Sequence, residues 1–393
     1  MSPLVPFFRN LFRRGRLTVV DAIGRAHLFG AAAGVDLRPV TIRLHDRALH
    51  WRLPLHPGLV TGEAYMDGSL TVDDGGLYDF LALASVNLQD LQTGAMPMRW
   101  LQQWNPISVS RRRTAHHYDL SEEFFSLFLD DDSQYSCAFF SDPEVTLEAA
   151  QAAKKQRLIT KLRLQPGLRV LDIGCGWGGL ALSMAREFDV EVTGITLSEG
   201  QLRVARRRAA EAGLSHRLRF ELADYRQLAG SFDRVISVGM FEHVVLPHYP
   251  TFFRSLRHLL APRGIALVHA IGRSLGPGAT NAWIRRYIFP GGYTPALSEV
   301  LPCVERAGLW VGDIEILRPH YADTLRHWRT RFTSAWDHAR AITDERFCRM
   351  WEFYLAGAEA AFRHQDLMVW QMQMGGDGDA LPRSRDYMSY PRC

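Results

Sequence analysis

The chain has 393 residues, of which 47% are hydrophobic and 22% charged, and its formal net charge is +4. That length suits two domains with a sizeable core, and no apolar run approaches the ~18 residues of a membrane-spanning helix. Basic residues beyond the N-terminus are offset by acids and no recognition motif is visible, which argues against a nucleic-acid-binding protein.

The cysteines predict a reducing compartment. Five are scattered along the chain, with neither the pairing of a disulfide framework nor the spacing of a metal site. The N-terminus also lacks a continuous apolar segment followed by a small-residue cleavage site, so we expect no secretory signal. A cytoplasmic protein is the resulting prediction.

The first sixteen residues combine basic and aromatic side chains. They contain Arg9, Arg13, Arg14 and Arg16 and no acidic residue, so their charge equals the net charge of the whole chain. Three phenylalanines are interleaved with these arginines. The pattern favours weak attachment to an anionic bilayer, at about 1 kcal/mol per basic residue. A frayed terminus, or a helix packed on its own domain, explains it equally well.

Residues 37–75 contain short segments typical of a small α+β module. Residues 40–44 and 49–53 alternate as strands do, with turn-forming residues between them, and a further strand is predicted at 69–72. Helical spacing follows over residues 77–91, and residues 96–106 have the composition of a linker. We therefore expect a first domain over residues 1–105.

Strand and helix patterns alternate in the second domain, which we place at residues 106–374. The apolar strand candidates are residues 168–173, 191–197, 218–223, 233–238 and 265–271. This alternation predicts an α/β fold with a mostly parallel sheet, helices on both faces and a ligand at the carboxyl ends of the strands. Residues 311–317 and 367–374 predict an antiparallel pair that completes the sheet. Residues 375–393 are predicted to form a flexible tail.

A glycine-rich turn follows the first of these strands. Gly174, Gly176 and Gly179 fit the G-x-G-x-x-G pattern, which opens a helix on a bound nucleotide and by itself also admits a nicotinamide cofactor. Asp172 precedes the glycines, where a carboxylate would repel a pyrophosphate and attract a cationic amino group. This favours S-adenosylmethionine, with a nicotinamide-dependent oxidoreductase as the alternative.

Several blocks together resemble one enzyme family. Besides the glycine loop they are residues 116–120, 135–140, 194–198, 237–244 and 287–292. In these blocks the chain is similar to the cyclopropane-fatty-acid synthases and mycolic-acid methyltransferases of the class I S-adenosylmethionine-dependent methyltransferase superfamily. The resemblance implies a Rossmann-like sheet over residues 114–374. The N-terminal module is similar to the extra domain of the phospholipid-acting bacterial members.

The resemblance also implies which residues hold S-adenosylmethionine. They are Tyr135, Ser136, Asp172, Gly174, Gly176, Thr196, Leu197, Gln201, Tyr225 and His243. Thr196 ends the second strand, where many methyltransferases have a carboxylate that accepts the ribose hydroxyls, and Gln201 is an amide substitute for it.

The implied reaction adds the methyl carbon of S-adenosylmethionine to a cis double bond of a phospholipid acyl chain and closes a cyclopropane ring. Because a carbocation forms on the chain and must lose a proton, the site has to be dry. The implied base is a bound bicarbonate held by Cys137, Glu242, His269, the backbone of Ile271, and Tyr321. Candidates for an aromatic wall, which core packing explains equally well, are Phe139, Phe140, Tyr287 and Phe289.

Other readings stay open at this point. Cys137 is not expected to act as a nucleophile, because methyl transfer to carbon needs none. The same cation also leads to methyl-branched or methylene products, and a non-catalytic lipid-binding protein would keep the same pocket. We expect a cytoplasmic enzyme that docks on the inner membrane face and binds unsaturated phospholipid at an anionic surface. Whether it forms a homodimer, and whether the tail covers the tunnel mouth, the sequence leaves undecided.

Overall fold

The computed structural model describes residues 3–31, 37–89 and 121–388. The strands are β1 (Leu17–Val20), β2 (Ala26–Phe29), β3 (Val40–Leu44), β4 (Leu70–Asp74), β5 (Arg169–Ile173), β6 (Glu191–Thr196), β7 (Leu218–Leu222), β8 (Phe232–Val238), β9 (Leu260–Arg273), β10 (Trp310–Ile316) and β11 (Leu367–Gly375). The helices are α1 (Leu4–Leu11), α2 (Leu49–Leu55), α3 (Pro57–Met66), α4 (Leu77–Gln89), α5 (Glu122–Ser126), α6 (Leu147–Leu162), α7 (Gly179–Glu187), α8 (Glu199–Glu211), α9 (Tyr249–Leu259), α10 (Ala282–Tyr287), α11 (Leu297–Arg306), α12 (Arg318–Ser334), α13 (Trp336–Ile342) and α14 (Glu345–His364).

The chain divides into two compact units that are not contiguous in sequence. The first holds the described residues within 1–97, 280–290 and 325–366, and the second holds those within 98–279, 291–324 and 367–393. This differs from the predicted domains at 1–105 and 106–374, whose shared boundary lies outside the described residues. The reason is packing: Ala356 of α14 belongs to the same buried cluster as Phe80 of α4.

The first unit is built on a four-stranded sheet in the order β2-β1-β3-β4. β1 is parallel to β3, whereas the other neighbouring pairs are antiparallel. Alternate side chains of β1 and β3, such as Val19 and Ile42, are fully buried. The predicted strands at 40–44 and 69–72 and the helix from residue 77 are confirmed; β1 and β2 were not predicted.

The strand predicted at residues 49–53 is wrong, since this segment is part of helix α2. Leu49 and Leu53 are buried whereas Trp51 is 58% exposed, so the buried positions are four residues apart, as on one face of a helix. Asp46 marks the start, because its Oδ1 accepts a hydrogen bond from the backbone N of Ala48 at 2.8 Å.

The N-terminal helix α1 packs on its own unit. Leu4, Phe8 and the following Phe12 are buried in the core of the first unit, and the Phe8 ring stacks on Phe29 at 5.5 Å. The four arginines of the segment are exposed. Of the alternatives left open by the sequence, the structure therefore bears out the packed helix, and it leaves the positive charge on the surface.

The second unit contains a seven-stranded sheet in the order β10-β11-β9-β8-β5-β6-β7. The five strands from β9 to β7 are parallel, and β11 is antiparallel to both of its neighbours. All five predicted parallel strands and the predicted antiparallel pair are confirmed. The carboxyl ends of β5, β6, β8 and β9 meet at one edge, where ligands bind in sheets of this type.

The described part of the C-terminal segment, which was predicted to be a flexible tail, is hydrogen-bonded to the sheet of the second unit. Gly376 N donates to Gly264 O at 3.0 Å, and Tyr387 Oη donates to Gln373 Oε1 at 2.7 Å. These bonds attach residues 376–388 to β9 and β11. Within the described ranges, no helix is both long and apolar enough to cross a bilayer.

Candidate active site

A pocket in the second unit opens at the carboxyl ends of β5, β6 and β8. All ten residues predicted to hold the cofactor line it: Tyr135, Ser136, Asp172, Gly174, Gly176, Thr196, Leu197, Gln201, Tyr225 and His243. The lining also includes residues that sequence reasoning missed, among them Gln134, Trp177, Asp224 and Met240. Most of these residues converge because they follow parallel strands of the sheet, whereas Tyr135 and Ser136 come from the segment between α5 and α6.

The glycine loop forms one wall of this pocket. Gly174 and Gly176 have φ of +83° and +56°, which side chains strain to adopt. A Cβ on Gly174 would also lie only 2.8 Å from Met240 Cβ. The backbone N of Gly174 donates to Ile195 O at 2.9 Å, so the loop is tied to the end of β6. Helix α7 begins at Gly179 and points its N-terminus toward the loop.

Asp172 supplies a buried carboxyl group to the pocket. It is 2% exposed, and its Oδ2 has no hydrogen-bond partner among the described residues. Burial raises the pKa of Asp172 to about 7, against the opposing effect of Lys154. A buried carboxylate without a partner favours a cationic ligand, which fits S-adenosylmethionine and not a pyrophosphate.

Thr196 and Gln201 form a hydrogen-bonded pair at the end of β6, the position at which many methyltransferases have a carboxylate. Thr196 Oγ1 donates to Gln201 Oε1 at 2.8 Å, and Ser198 N donates to Thr196 Oγ1 at 3.2 Å. Because the Gln201 oxygen faces Thr196, its amide nitrogen is directed elsewhere as a donor. The pocket therefore presents a neutral amide at the position predicted to bind the ribose.

Lys154 is a buried charge that sequence reasoning missed. Its side chain is inaccessible, and Nζ donates to Gln134 Oε1 at 2.5 Å and to Ser136 Oγ at 3.0 Å. Burial lowers the pKa of Lys154 to about 8, with Asp130 the largest opposing influence. The sequence of α6 does indicate that this lysine is on the buried face, because Gln151, Lys154 and Lys161 recur there at helical spacing.

The residues predicted to hold an anion do not line this pocket. Glu242 and Ile271 lie close to the ends of β8 and β9, His269 lies on β9, Cys137 follows the pocket residue Ser136, and Tyr321 lies on α12. Glu242 follows β8, and its Oε1 accepts a hydrogen bond from the backbone N of Ile271 at 2.6 Å. Its Oε2 is buried and has no hydrogen-bond partner within the described part of the chain. Burial raises the pKa of Glu242 to about 7. The structure thus joins two of the predicted residues directly, and His243 connects them to the cofactor pocket.

His269 and Cys137 are both buried. Burial lowers the pKa of His269 to about 3, and raises that of the Cys137 thiol above its ordinary range. A thiol that stays protonated is not a nucleophile, in agreement with the sequence argument. Cys137 is followed by Ala138, whose N donates to Thr324 Oγ1 at 3.0 Å, one turn after Tyr321 on α12.

The predicted aromatic wall is not gathered in one unit. Tyr287 and Phe289 belong to the first unit, where Tyr287 Oη donates to Glu63 Oε1 at 2.9 Å and Phe289 packs on Tyr354. Phe139 in the second unit has the Arg157 guanidinium over its face at 3.9 Å, so that face cannot meet a substrate cation. Phe140 is buried. The predicted block at residues 116–120 lies outside the described residues.

Comparisons with known proteins identify the family of the chain. The family described as Mycolic acid cyclopropane synthetase matches residues 108–372. The chain is 39% identical over 352 residues to a probable fatty acid methyltransferase of Pseudomonas putida, covering 85% of this chain and 89% of that protein. It is 37% identical over 352 residues to the cyclopropane-fatty-acyl-phospholipid synthase of Escherichia coli K12, covering 85% and 87%.

A solved structure gives the same result. The mycolic acid cyclopropane synthase CmaA1, in complex with SAH and CTAB, matches with a TM-score of 0.65 at 33% identity, over 69% of this chain and 99% of that one. This confirms the class I methyltransferase fold and supports S-adenosylmethionine as the cofactor, against the oxidoreductase alternative. The chain belongs to the mycolic acid cyclopropane synthetase family and is an S-adenosylmethionine-dependent methyltransferase of the cyclopropane synthase type.

Proposed function

We propose that this methyltransferase adds the methyl carbon of S-adenosylmethionine to cis double bonds of unsaturated phospholipid acyl chains and closes a cyclopropane ring. The observation that carries this proposal is the buried carboxyl of Glu242 beside the cofactor pocket. One of its oxygens accepts the Ile271 N–H, and the other has no partner among the residues described. Such an oxygen is suited to a hydrogen bond from a small hydroxyl-bearing anion.

The reaction explains why these residue types are needed. An isolated alkene is a weak nucleophile, and its attack on a sulfonium methyl group places positive charge on the acyl chain. Ring closure then requires that a base take a proton from the transferred carbon before water adds. His269 and Cys137 are both buried. Their shifted pKa values keep the imidazole neutral, with one N–H donor, and the thiol protonated, with its S–H donating to the Ala138 carbonyl at 3.2 Å.

Bicarbonate fits this donor set, and when bound it would supply the base. His269 and Tyr321 carry N–H and O–H donors, and Glu242 accepts a hydrogen bond from a hydroxyl. The Cys137 S–H would join this set by turning from the Ala138 carbonyl to the anion. The backbone N–H of Ile271 is engaged by Glu242. We therefore assign that N–H to the orientation of Glu242, and not to direct contact with the anion as the sequence resemblance suggested.

A phospholipid substrate places the enzyme at the inner face of the cytoplasmic membrane. The name of the Escherichia coli relative supports a phospholipid, and the exposed arginines of the N-terminal segment support an anionic surface. Association into a homodimer would strengthen membrane attachment through avidity.

The test is incubation of the purified chain with S-adenosylmethionine and vesicles of a mono-unsaturated phospholipid, followed by mass spectrometry of the lipids. We expect a gain of one CH₂ with loss of the double bond and ring-specific fragments. A gain of CH₄ would mark a saturated methyl branch, and a CH₂ gain with a retained double bond would mark a methylene product. Either result, or an unmodified lipid, would overturn the cyclopropane assignment.

A further inference from the structure

A chain of buried hydrogen bonds leads from the surface of the second unit to His269. Glu315 on β10 accepts a hydrogen bond from Lys161 Nζ at 2.6 Å, and the same Nζ donates to Gln371 Oε1 at 2.9 Å. Gln371 Nε2 in turn lies 3.1 Å from His269 Nδ1. Lys161, Gln371 and His269 are each at most 2% exposed, so water does not compete for these bonds.

The direction of every bond in this chain follows from its lysine. An ammonium group has only donors, so the Gln371 atom that faces Lys161 must be the amide oxygen. The amide nitrogen is then directed at His269 and donates to Nδ1, which must be unprotonated. Asp313, 3.7 Å from Lys161 Nζ, and Arg157, which pairs with Glu315, hold the lysine in place from two sides.

We propose that Gln371, held by Lys161, is a positioning residue that sets the tautomer of His269 so that its proton resides on Nε2. This inference rests on the proposed function: the Nε2–H is the donor offered to the bound anion. None of the described residues makes a hydrogen bond with Nε2. A consequence follows for the reaction, since an imidazole with its proton on Nε2 cannot remove a proton at that atom. His269 therefore acts as a hydrogen-bond donor at this atom and not as the base.

The tautomer is measured directly by two-bond ¹H–¹⁵N correlation spectra of the full chain labelled with ¹⁵N-histidine. The His269 signals are identified by their loss in His269→Gln, since the chain has 15 histidines. We expect Nε2 protonated and Nδ1 bare, with a neutral ring at pH 7. A proton on Nδ1, or a doubly protonated ring, would overturn the inference. Because this readout needs neither substrate nor anion, it is independent of whether the proposed function holds.

Variants of Gln371 test whether this residue sets the tautomer of His269. Gln371→Glu replaces the donor with an acceptor, so we expect the proton to appear on His269 Nδ1 and turnover to fall by about 10²-fold, as for loss of one anion-binding donor. Gln371→Met removes the bond and should give a mixture of tautomers. The matched control is Gln373→Met, two residues along the same strand, where Nε2 donates to Lys161 O and not to His269.

S-adenosylmethionine affinity, measured by calorimetry, should stay within about twofold in all three variants because none of these residues lines the cofactor pocket. An unchanged His269 tautomer in Gln371→Glu, or an equal change in Gln373→Met, would contradict the assigned role.

Discussion

Two carboxyl groups in the second unit are buried with one oxygen each left without a hydrogen-bond partner by the described residues. Asp172 lies in the cofactor pocket, and Glu242 lies one strand further along the sheet. Native proteins rarely leave such atoms unpaired, because the desolvation cost is ~1–3 kcal/mol. We interpret both carboxyl groups as ligand-binding groups: Asp172 for a cation, and Glu242 for the hydroxyl of an anion.

Asp172 makes cofactor binding depend on pH. Burial raises its pKa to about 7 in the free protein, and the cationic cofactor needs the ionised form. We expect the affinity for S-adenosylmethionine to rise about tenfold per pH unit up to pH ~7 and then level off. Titration calorimetry between pH 5.5 and 8 measures this. In Asp172→Asn the affinity should be weak and nearly independent of pH; a parallel rise in that variant would show that another group is responsible.

The same shift has the opposite effect on the stability of the unliganded protein. A native pKa raised above the unfolded value means that the unfolded chain releases its proton first. The contribution of Asp172 to the unfolding free energy is therefore complete below pH ~4 and is lost as the pH rises toward 7. Denaturant unfolding across this window should reveal a loss that Asp172→Asn reduces.

Lys154 and its neighbour Lys155 form a matched pair for testing the buried charge. Lys154 donates to Gln134 and Ser136 in the pocket, whereas Lys155 pairs with Asp132 at 2.5 Å. We expect Lys154→Met to weaken S-adenosylmethionine binding about tenfold, the value of one or two lost hydrogen bonds. In this variant the affinity should also level off at a higher pH than in the unsubstituted protein, because Lys154 lowers the pKa of Asp172. Lys155→Met should leave the profile in place; equal shifts would refute this role.

We expect the two proposed anion-binding residues Cys137 and Glu242 to contribute unequally to activity. Cys137→Ser keeps a small hydrogen-bond donor, so we expect it to retain considerable activity. Glu242→Ala removes the carboxyl that the Ile271 N–H orients, and activity should be almost abolished. Turnover of unsaturated phospholipid by the purified variants measures both, with circular dichroism as a check on folding. A dead Cys137→Ser beside an active Glu242→Ala would reverse our assignment.

At the scale of elements, close packing of strand β6 explains a glycine in its middle. A Cβ on Gly194 would lie 2.6 Å from the Phe220 ring on β7 and 3.0 Å from Cys175 Cβ. We expect Gly194→Ala to lower the unfolding free energy by about 1–3 kcal/mol through overpacking. The control is Gly200→Ala in helix α8, where the nearest atom is 3.6 Å away. Helix propensity should make that variant as stable or slightly more stable in urea denaturation.

Strand and helix assignments succeeded where periodicity and flanking turns agreed, as in the parallel strands β5 to β9. They failed at α2, because Leu49 and Leu53 satisfy strand alternation and helical spacing alike, and Trp51 between them, which is exposed in the helix, completes the strand pattern. They also missed β1 and β2, each of which has four residues. Segments this short carry too few positions for a period to be counted, and only their pairing in the sheet defines them.

At the scale of the whole molecule, the exposed charge of the N-terminal segment predicts membrane attachment. The double substitution of Arg9 and Arg13 by Glu should reduce sedimentation with anionic vesicles by at least about tenfold, at ~1 kcal/mol per basic residue. In the control variant, Glu replaces Arg186 and Arg203, which are exposed in the second unit. It changes the net charge equally. Equal losses in the two variants would mean that net charge, and not this segment, attracts the membrane.

The sequence by itself determined the fold class and the cofactor pocket of this protein. The glycine loop and the parallel strands predicted a ligand at one sheet edge. The family resemblance supplied the ten cofactor residues, all of which line one pocket. The resemblance also supplied Glu242 and Ile271, but not that Glu242 accepts the N–H of Ile271.

Only the tertiary structure decided the partners of buried polar groups and the division into units. Lys154, the Lys161–Gln371–His269 chain and the assignment of residues 325–366 to the first unit depend on contacts between segments distant in sequence. An amphipathic helix shows that one face is buried, not which core buries it. A lysine on that face, such as Lys154, likewise does not show which groups accept its hydrogen bonds until its neighbours are in place.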